Sequence, residues 1–149
     1  MEKFIYLFAI VAMGLSSCSK DAATITIDSS KPDGAFTVMK SGMFVAENKT
    51  PTAGTAELGK DSKGVQFLHF TSNFTTEFGT GTVTVYLSTS AVFDQTATGT
   101  PSSNLKSVGV ASKAGEVYYK IDPSADPKFT HVIVWCGTAK VPFGNAPLK

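Results

Sequence analysis

The sequence predicts one all-β domain over residues 35–149, folded as an antiparallel β-sandwich or a distorted β-barrel. Runs of alternating polar and apolar residues recur along this part of the chain, and joints rich in glycine, proline and serine separate them. Threonine, serine, glycine, valine and phenylalanine are abundant, and this mixture favours strands and turns. No long run follows the helical period of 3.6 residues. Short strands at such spacing are typical of sandwiches and barrels.

The first 17 residues have the pattern of a secretion signal. Lys3 supplies a positive charge, and Phe4–Leu15 is an apolar run that is too short to span a bilayer as a stable helix. A Leu-Ser-Ser-Cys motif follows at once, ends at Cys18 and resembles the bacterial lipobox. The resemblance implies cleavage before Cys18 and acylation of its thiol, which would anchor the protein to a membrane. The alternative is an ordinary secretory signal followed by a chance cysteine.

Residues 18–34 are predicted to form the lipidated cysteine and a flexible tether. Ser19-Lys20-Asp21 resembles the surface-export signal of Bacteroidota lipoproteins, and a serine after the cysteine also fits release to an outer membrane. We therefore expect a cell-envelope protein that is anchored to the outer membrane, with exposure at the cell surface as the further expectation. Turn-forming residues are concentrated in Asp28–Gly34, whereas Thr24–Ile27 alternates and could add an edge strand.

Four runs of the domain have the patterns of strands: Val65–Phe74, Thr82–Ser88, Val117–Ile121 and His131–Cys136. Thr82–Ser88 places three apolar side chains on one face, as expected for a half-buried strand: Val83, Val85 and Leu87. His131–Cys136 is apolar on both faces, as expected for a central strand. Phe36–Lys40 fits either a strand or a short helical turn. Predicted joints lie at residues 59–64, 79–81, 99–104 and 123–127.

Several segments between Lys40 and Leu148 carry a family resemblance: Lys40–Phe44, Thr52–Ala56, Asn73–Phe74, Val85–Ser88, Leu105–Lys106, Gly115–Ile121, and a closing run of Val132–Cys136 with Val141, Phe143, Gly144, Ala146 and Leu148. Together they resemble the DM-thirteen domain, also called the Skeletor-type electron-transfer domain. The chain departs from that family where it reads Glu47–Pro51 in place of a histidine, and Gly79–Thr82 in place of Gly-Pro-Asp. The resemblance implies a sandwich-like fold and a redox or electron-transfer role centred on Cys136.

Cys136 is the candidate redox residue. If Cys18 is lipidated, Cys136 is the only free thiol and no intramolecular disulfide can form. A lone thiol outside the cytoplasm could exchange with a partner's disulfide or be oxidised reversibly. Strand alternation places Cys136 on one face with Val132 and Val134, which argues instead for a buried cysteine that acts as a small apolar residue. That interpretation predicts slow labelling of the native thiol and a loss of stability on Cys136→Ser.

Three aromatic residues are candidates for an electron relay or for stacking on a ligand: Tyr118, Tyr119 and Trp135. Packing in the sandwich is the alternative for all three. No metal site is expected, because His131 and Cys136 fall on opposite faces of a regular strand, and His69 fits a hydrogen bond within the sheet. Covalent haem is excluded because the chain has no Cys-x-x-Cys-His motif, and no other cofactor is indicated.

Two classes of function remain open. No nucleophile elbow, triad or paired carboxylates stand out, so an enzyme is the less expected class. A formal net charge of +1 gives no electrostatic signature of nucleic-acid binding. The first class is an anchored extracytoplasmic lipoprotein with an electron-transfer or thiol redox role against an envelope protein partner. The second is a non-enzymatic surface binding or structural module.

Overall fold

A computed structural model describes residues 30–94 and 104–149 of the 149-residue chain. The described part consists of strands and loops and contains no helix. Accordingly, no described helix is long and apolar enough to cross a membrane. The secretion signal, Cys18 and the predicted edge strand Thr24–Ile27 lie outside the described residues.

The strands of the described part form two antiparallel sheets that pack as a sandwich rather than a closed barrel. Their bounds are β1 Thr37–Met43, β2 Val45–Ala46, β3 Thr55–Lys60, β4 Gln66–Phe70, β5 Val83–Ser88, β6 Leu105–Ala111, β7 Val117–Ile121, β8 His131–Cys136 and β9 Val141–Pro147. One sheet has the order β1-β3-β4-β7 and the other has the order β2-β9-β8-β5-β6. The prediction of an all-β fold is confirmed, and of its two forms the sandwich is correct.

Alternation along the strands was a reliable guide to their two faces. Val83, Val85 and Leu87 are buried between the sheets, as predicted. In β8, Val132, Val134 and Cys136 point into the core, while Ile133 and Trp135 point to the outer face. β8 has neighbours on both sides, β5 and β9, so the prediction of a central strand is confirmed.

Two predicted boundaries were wrong. Val65–Phe74 does not form one long strand, because β4 ends at Phe70 and a turn follows in which the Phe74 N–H donates to the Thr71 carbonyl at 2.9 Å. Gly59 belongs to β3 rather than to a joint. A Cβ atom at Gly59 would lie 2.6 Å from the ring of Phe36 and 2.3 Å from the carbonyl oxygen of Thr37, so close packing explains the glycine. Phe36–Lys40 gives strand from Thr37 rather than a helical turn.

The strand pairings define the ends of each sheet. At one end, named the Cys136 end, Cys136 pairs with Val83, and Val83 pairs with Ala111, the last residue of β6. The short β6–β7 turn, residues 112–116, lies at this end as well. In the four-stranded sheet, residues 61–65 join β3 to β4 at the end, named the hairpin end, where β1 begins and Thr37 pairs with Lys60.

Candidate functional site

Cys136 closes β8 at the Cys136 end and is fully buried. Its Sγ accepts a hydrogen bond from the Ala139 backbone N–H at 3.3 Å, and the Thr80 hydroxyl lies 3.7 Å from the same sulfur. Thr80 belongs to an exposed loop between β4 and β5. The sulfur therefore belongs to the apolar core on one side and is covered on the other side by a surface loop.

The three aromatic candidates lie in three different layers of the sandwich. Tyr118 is on the outer face of the four-stranded sheet and stacks on His69, with ring centroids 4.1 Å apart. Tyr119 is inside the core, edge-on to Phe70 at 5.4 Å. Trp135 is on the outer face of the other sheet and stacks on Phe93 at 3.9 Å. Among the described ring contacts, none joins any two of the three candidates, so their rings do not form a chain in direct contact.

Tyr119 is the one candidate whose polar atom is isolated in the core. Its hydroxyl is buried and has no hydrogen-bond partner within the described part of the chain. Burial raises the pKa of Tyr119 to about 12. The ring lies directly over Gly109 of β6, where a Cβ atom would come within 2.6 Å of it. The Tyr119 ring thus extends from the four-stranded sheet across the core and packs against Gly109 of the five-stranded sheet.

A histidine held between two carboxylates lies on the outer face of the four-stranded sheet. His69 Nδ1 is 2.8 Å from Glu57 Oε2, and His69 Nε2 is 3.0 Å from Glu116 Oε1. A carboxylate can only accept a hydrogen bond. Both contacts are therefore hydrogen bonds if the imidazole carries a proton on each nitrogen, or if it carries one proton and one of the two carboxyl groups is protonated and donates to the other nitrogen. Burial raises the pKa of Tyr118, and the charges of Glu116 and Glu57 raise it further. We call these four residues the His69 cluster.

Sequence reasoning found only part of this cluster. His69 was expected to be hydrogen-bonded in the sheet, and its partners are the side chains of Glu57 in β3 and of Glu116 in the turn before β7. Glu57 was not singled out, because only the β3–β4 register places it directly opposite His69. Glu116 lies 47 residues after His69 in the chain and was missed for the same reason, because only strand pairing brings the two together. Knowledge of which residues pair across neighbouring strands would have identified both Glu57 and Glu116 as partners of His69.

Within residues 30–94 and 104–149, no group of three histidine, cysteine or acidic side chains is arranged to hold a metal ion. In the His69 cluster, the two carboxylates contact different nitrogens of the ring, so they do not converge on one point with the imidazole. His131 lies at the start of β8, with its Nδ1 2.9 Å from the Thr130 hydroxyl. Burial lowers the pKa of His131. It occupies the face of β8 opposite to Cys136, as the alternation predicted.

Comparison with known proteins gives a match at the level of a family. A family model described as electron transfer DM13 matches residues 43–148. No curated protein and no solved structure matches the chain. The matched range includes Cys136, the His69 cluster, Tyr119 and Trp135, and it excludes the residues that precede Met43.

Proposed function

Since the chain belongs to the electron transfer DM13 family, we propose that it is an electron-transfer module of the cell envelope, held to a membrane by lipid on Cys18 and active through the Cys136 thiol. The apolar run Phe4–Leu15 and the Leu-Ser-Ser-Cys motif support the anchor. Ser19-Lys20-Asp21 supports attachment to an outer membrane with the domain at the cell surface. The family match, which contains Cys136, supports the redox role.

The chemistry we propose for Cys136 is exchange with a disulfide of an envelope protein. The thiol loses its proton, its sulfur bonds to one partner sulfur, and the other partner sulfur leaves as a thiolate that takes up a proton. The chain has two cysteines, and Cys18 carries lipid in this proposal. The product is therefore a mixed disulfide between the two proteins. A further thiol, as the reductant, attacks the Cys136 sulfur, bonds to it and releases the partner's second thiol, so that the partner has gained two electrons and Cys136 holds the reductant in a disulfide.

The observation that carries this proposal is the thin cover over Cys136. The sulfur is buried, but Thr80 above it is exposed and belongs to a loop that contains Gly79 and Gly81. Displacement of that loop would open a path to the sulfur while the two sheets stay paired. Local openings of this kind cost less free energy than global unfolding.

We expect a thiol reagent to label Cys136 in the native protein at a slow rate that low concentrations of urea leave unchanged. Local opening exposes little surface and so depends weakly on urea, whereas global unfolding depends on it strongly. Thr80→Ala removes the hydroxyl beside Sγ and should raise the rate about fivefold, as expected from a loss of about 1 kcal/mol in closing the loop. The rate is followed by absorbance of the released thiolate of an aromatic disulfide reagent.

The matched control is Thr82→Ala, which alters an exposed threonine of the same loop that has no contact with the sulfur in the described structure. It should leave the rate unchanged. Labelling that occurs only through global unfolding, with the full dependence on urea, would contradict the redox proposal. It would favour the second candidate function, a non-enzymatic surface binding or structural module, which the burial of Cys136 beside Val132 and Val134 supports.

The anchor is tested separately from the thiol. Cys18→Ala should abolish incorporation of radiolabelled fatty acid and leave the precursor uncleaved, because the lipobox chemistry requires the cysteine sulfur. Cys136→Ala is the control and should be lipidated like the parent. Normal maturation of Cys18→Ala would show that an ordinary signal peptidase processes the chain, and the anchor would then be wrong.

A further inference from the structure

A cleft of about 320 Å³ lies beside the His69 cluster, at the edge of the four-stranded sheet that β7 forms. This volume falls within the range of about 300–1,000 Å³ that is usual for small-molecule sites. The cleft is therefore large enough for one small ring compound. Its lining residues are Ser30, Lys31, Lys113, Glu116, Val117 and Tyr118.

Tyr118 gives the cleft a rigid aromatic wall. One face of its ring stacks on His69 with the ring planes 8° apart, and His69 is itself held by Glu57 and Glu116. The Phe36 ring lies nearly perpendicular to the Tyr118 ring at 5.6 Å. The Tyr118 ring is thus fixed before any ligand arrives, which reduces the entropic cost of binding a ligand against it.

The second face of the Tyr118 ring is directed away from the sheet. His69 lies directly opposite Tyr118 in the β4–β7 register, so it covers the face that is turned toward β4. β7 is the last strand of its sheet, and no strand follows on its other side. Among the described ring contacts, no second ring stacks parallel on half-buried Tyr118. This face is therefore available to a ligand in the cleft.

Two lysines add positive charge to the cleft. Lys31 and Lys113 are exposed and come from separate segments of the chain. Within the described residues, neither lysine takes part in an ion pair. Glu116 is the one acidic residue of the lining, and its Oε1 contacts His69. Like charges that border one cleft repel each other, and an anion between them reduces that repulsion, so the cleft favours an anionic ligand.

The carboxylate of Glu116 favours a ligand that also carries hydroxyl groups. Its second oxygen can only accept a hydrogen bond, so it repels an anion without donors and binds a hydroxyl group. The face of an aromatic ring carries partial negative charge, which suits the C–H groups on one face of a pyranose ring. A carboxylate, several hydroxyl groups and an apolar ring face occur together in a uronic acid.

We propose that this cleft binds a carboxylate-bearing sugar, a uronic acid unit, with its C–H face on Tyr118 and its carboxylate between Lys31 and Lys113. Glu116 accepts hydrogen bonds from the sugar hydroxyls. Lys31 precedes the family-matched range of residues 43–148, so a segment outside the matched domain completes the site. Cys136 lies in the core rather than at this edge, and binding of the sugar does not require its thiol.

Binding of methyl glucuronide to the full-length protein tests this site. It is measured by saturation-transfer NMR titration in a detergent that carries no sugar group. We expect saturation to reach mainly the C–H protons of one ring face, because those protons contact Tyr118. Methyl glucoside has no carboxylate and should bind about fivefold more weakly, since it loses the charge-assisted contacts with the lysines. Benzoate keeps the charge but lacks the hydroxyl groups, and it should also bind more weakly than methyl glucuronide.

Lys113→Gln should weaken the binding of methyl glucuronide about fivefold and leave the binding of methyl glucoside unchanged, because only a charge is removed. Lys113 is exposed in a turn, so this change spares the fold. Lys120→Gln is the matched control. Lys120 is an exposed lysine of β7, two residues after Tyr118, but it lines a different cleft, and its replacement should leave both affinities unchanged.

The aromatic wall is tested by two changes at one position. Tyr118→Ala should abolish saturation of the ring-face protons, whereas Tyr118→Phe keeps the ring and should keep the binding of methyl glucuronide. If Tyr118→Ala fails to fold, loss of binding in Tyr118→Phe would still contradict a contact made by the ring.

Four results would overturn the proposed site. Absence of saturation transfer to methyl glucuronide would overturn it outright, and equal binding of methyl glucoside would overturn its preference for an anion. Tighter binding of benzoate than of methyl glucuronide would overturn the sugar as the ligand class. An equal loss of affinity in Lys113→Gln and Lys120→Gln would show that the overall charge of the surface, rather than this cleft, attracts the ligand.

Discussion

Phe70→Ala is expected to lower the free energy of unfolding by about 3–5 kcal/mol, the usual cost of truncating a large buried aromatic residue. Phe70 ends β4 and is completely buried between the sheets. Its ring contacts Phe44 at 5.1 Å, Phe74 at 4.4 Å and Tyr119 at 5.4 Å. Neighbours on several sides cannot all relax into the space, so a cavity remains. This loss is a large share of the 5–15 kcal/mol by which domains are typically stable.

Urea unfolding of the mature chain, followed by the fluorescence of its one tryptophan, Trp135, measures this loss. Phe78→Ala is the matched control, because Phe78 is only partly buried and packs at the margin of the same cluster, 6.5 Å from Phe74. We expect the control to lose clearly less stability than Phe70→Ala. Equal losses would mean that the core does not centre on Phe70.

Glu57→Ala is expected to cost about 2 kcal/mol, within the range of a hydrogen bond to a charged group. The Glu57 side chain is 24% exposed and accepts from the nearly buried His69, so little water can replace it. Glu116→Ala removes the same carboxylate from the other side of the ring, but the Glu116 side chain is 59% exposed. Water replaces an exposed partner readily, so we expect this variant to lose less than about 1 kcal/mol.

The same urea titration at neutral pH compares the two variants, and the two carboxylates act as controls for each other. The order of the losses is the decisive result. A Glu116→Ala variant that is as unstable as Glu57→Ala would show that burial does not determine the strength of these contacts, and that the His69 cluster depends on both carboxylates equally.

Local patterns in the sequence determined the strand faces of this protein. A period of two is a property of neighbouring residues, so Val83, Val85 and Leu87 could be placed in the core without knowledge of any partner strand. The same reasoning placed Cys136 on one face of β8 with Val132 and Val134, and that face lies in the core. The resemblance between Lys40 and Leu148 gave the family, which the match to residues 43–148 bears out.

Only the tertiary structure decided what surrounds these residues. Glu57 meets His69 through strand register, Thr80 covers Cys136 from a loop 56 residues away, and Phe36 requires a glycine at position 59 because its ring packs against β3 there. Such contacts join residues that are distant in the chain, and the period of a single strand contains no information about which strand lies beside it. The sequence therefore identified the cysteine, while the fold determined which residues cover it.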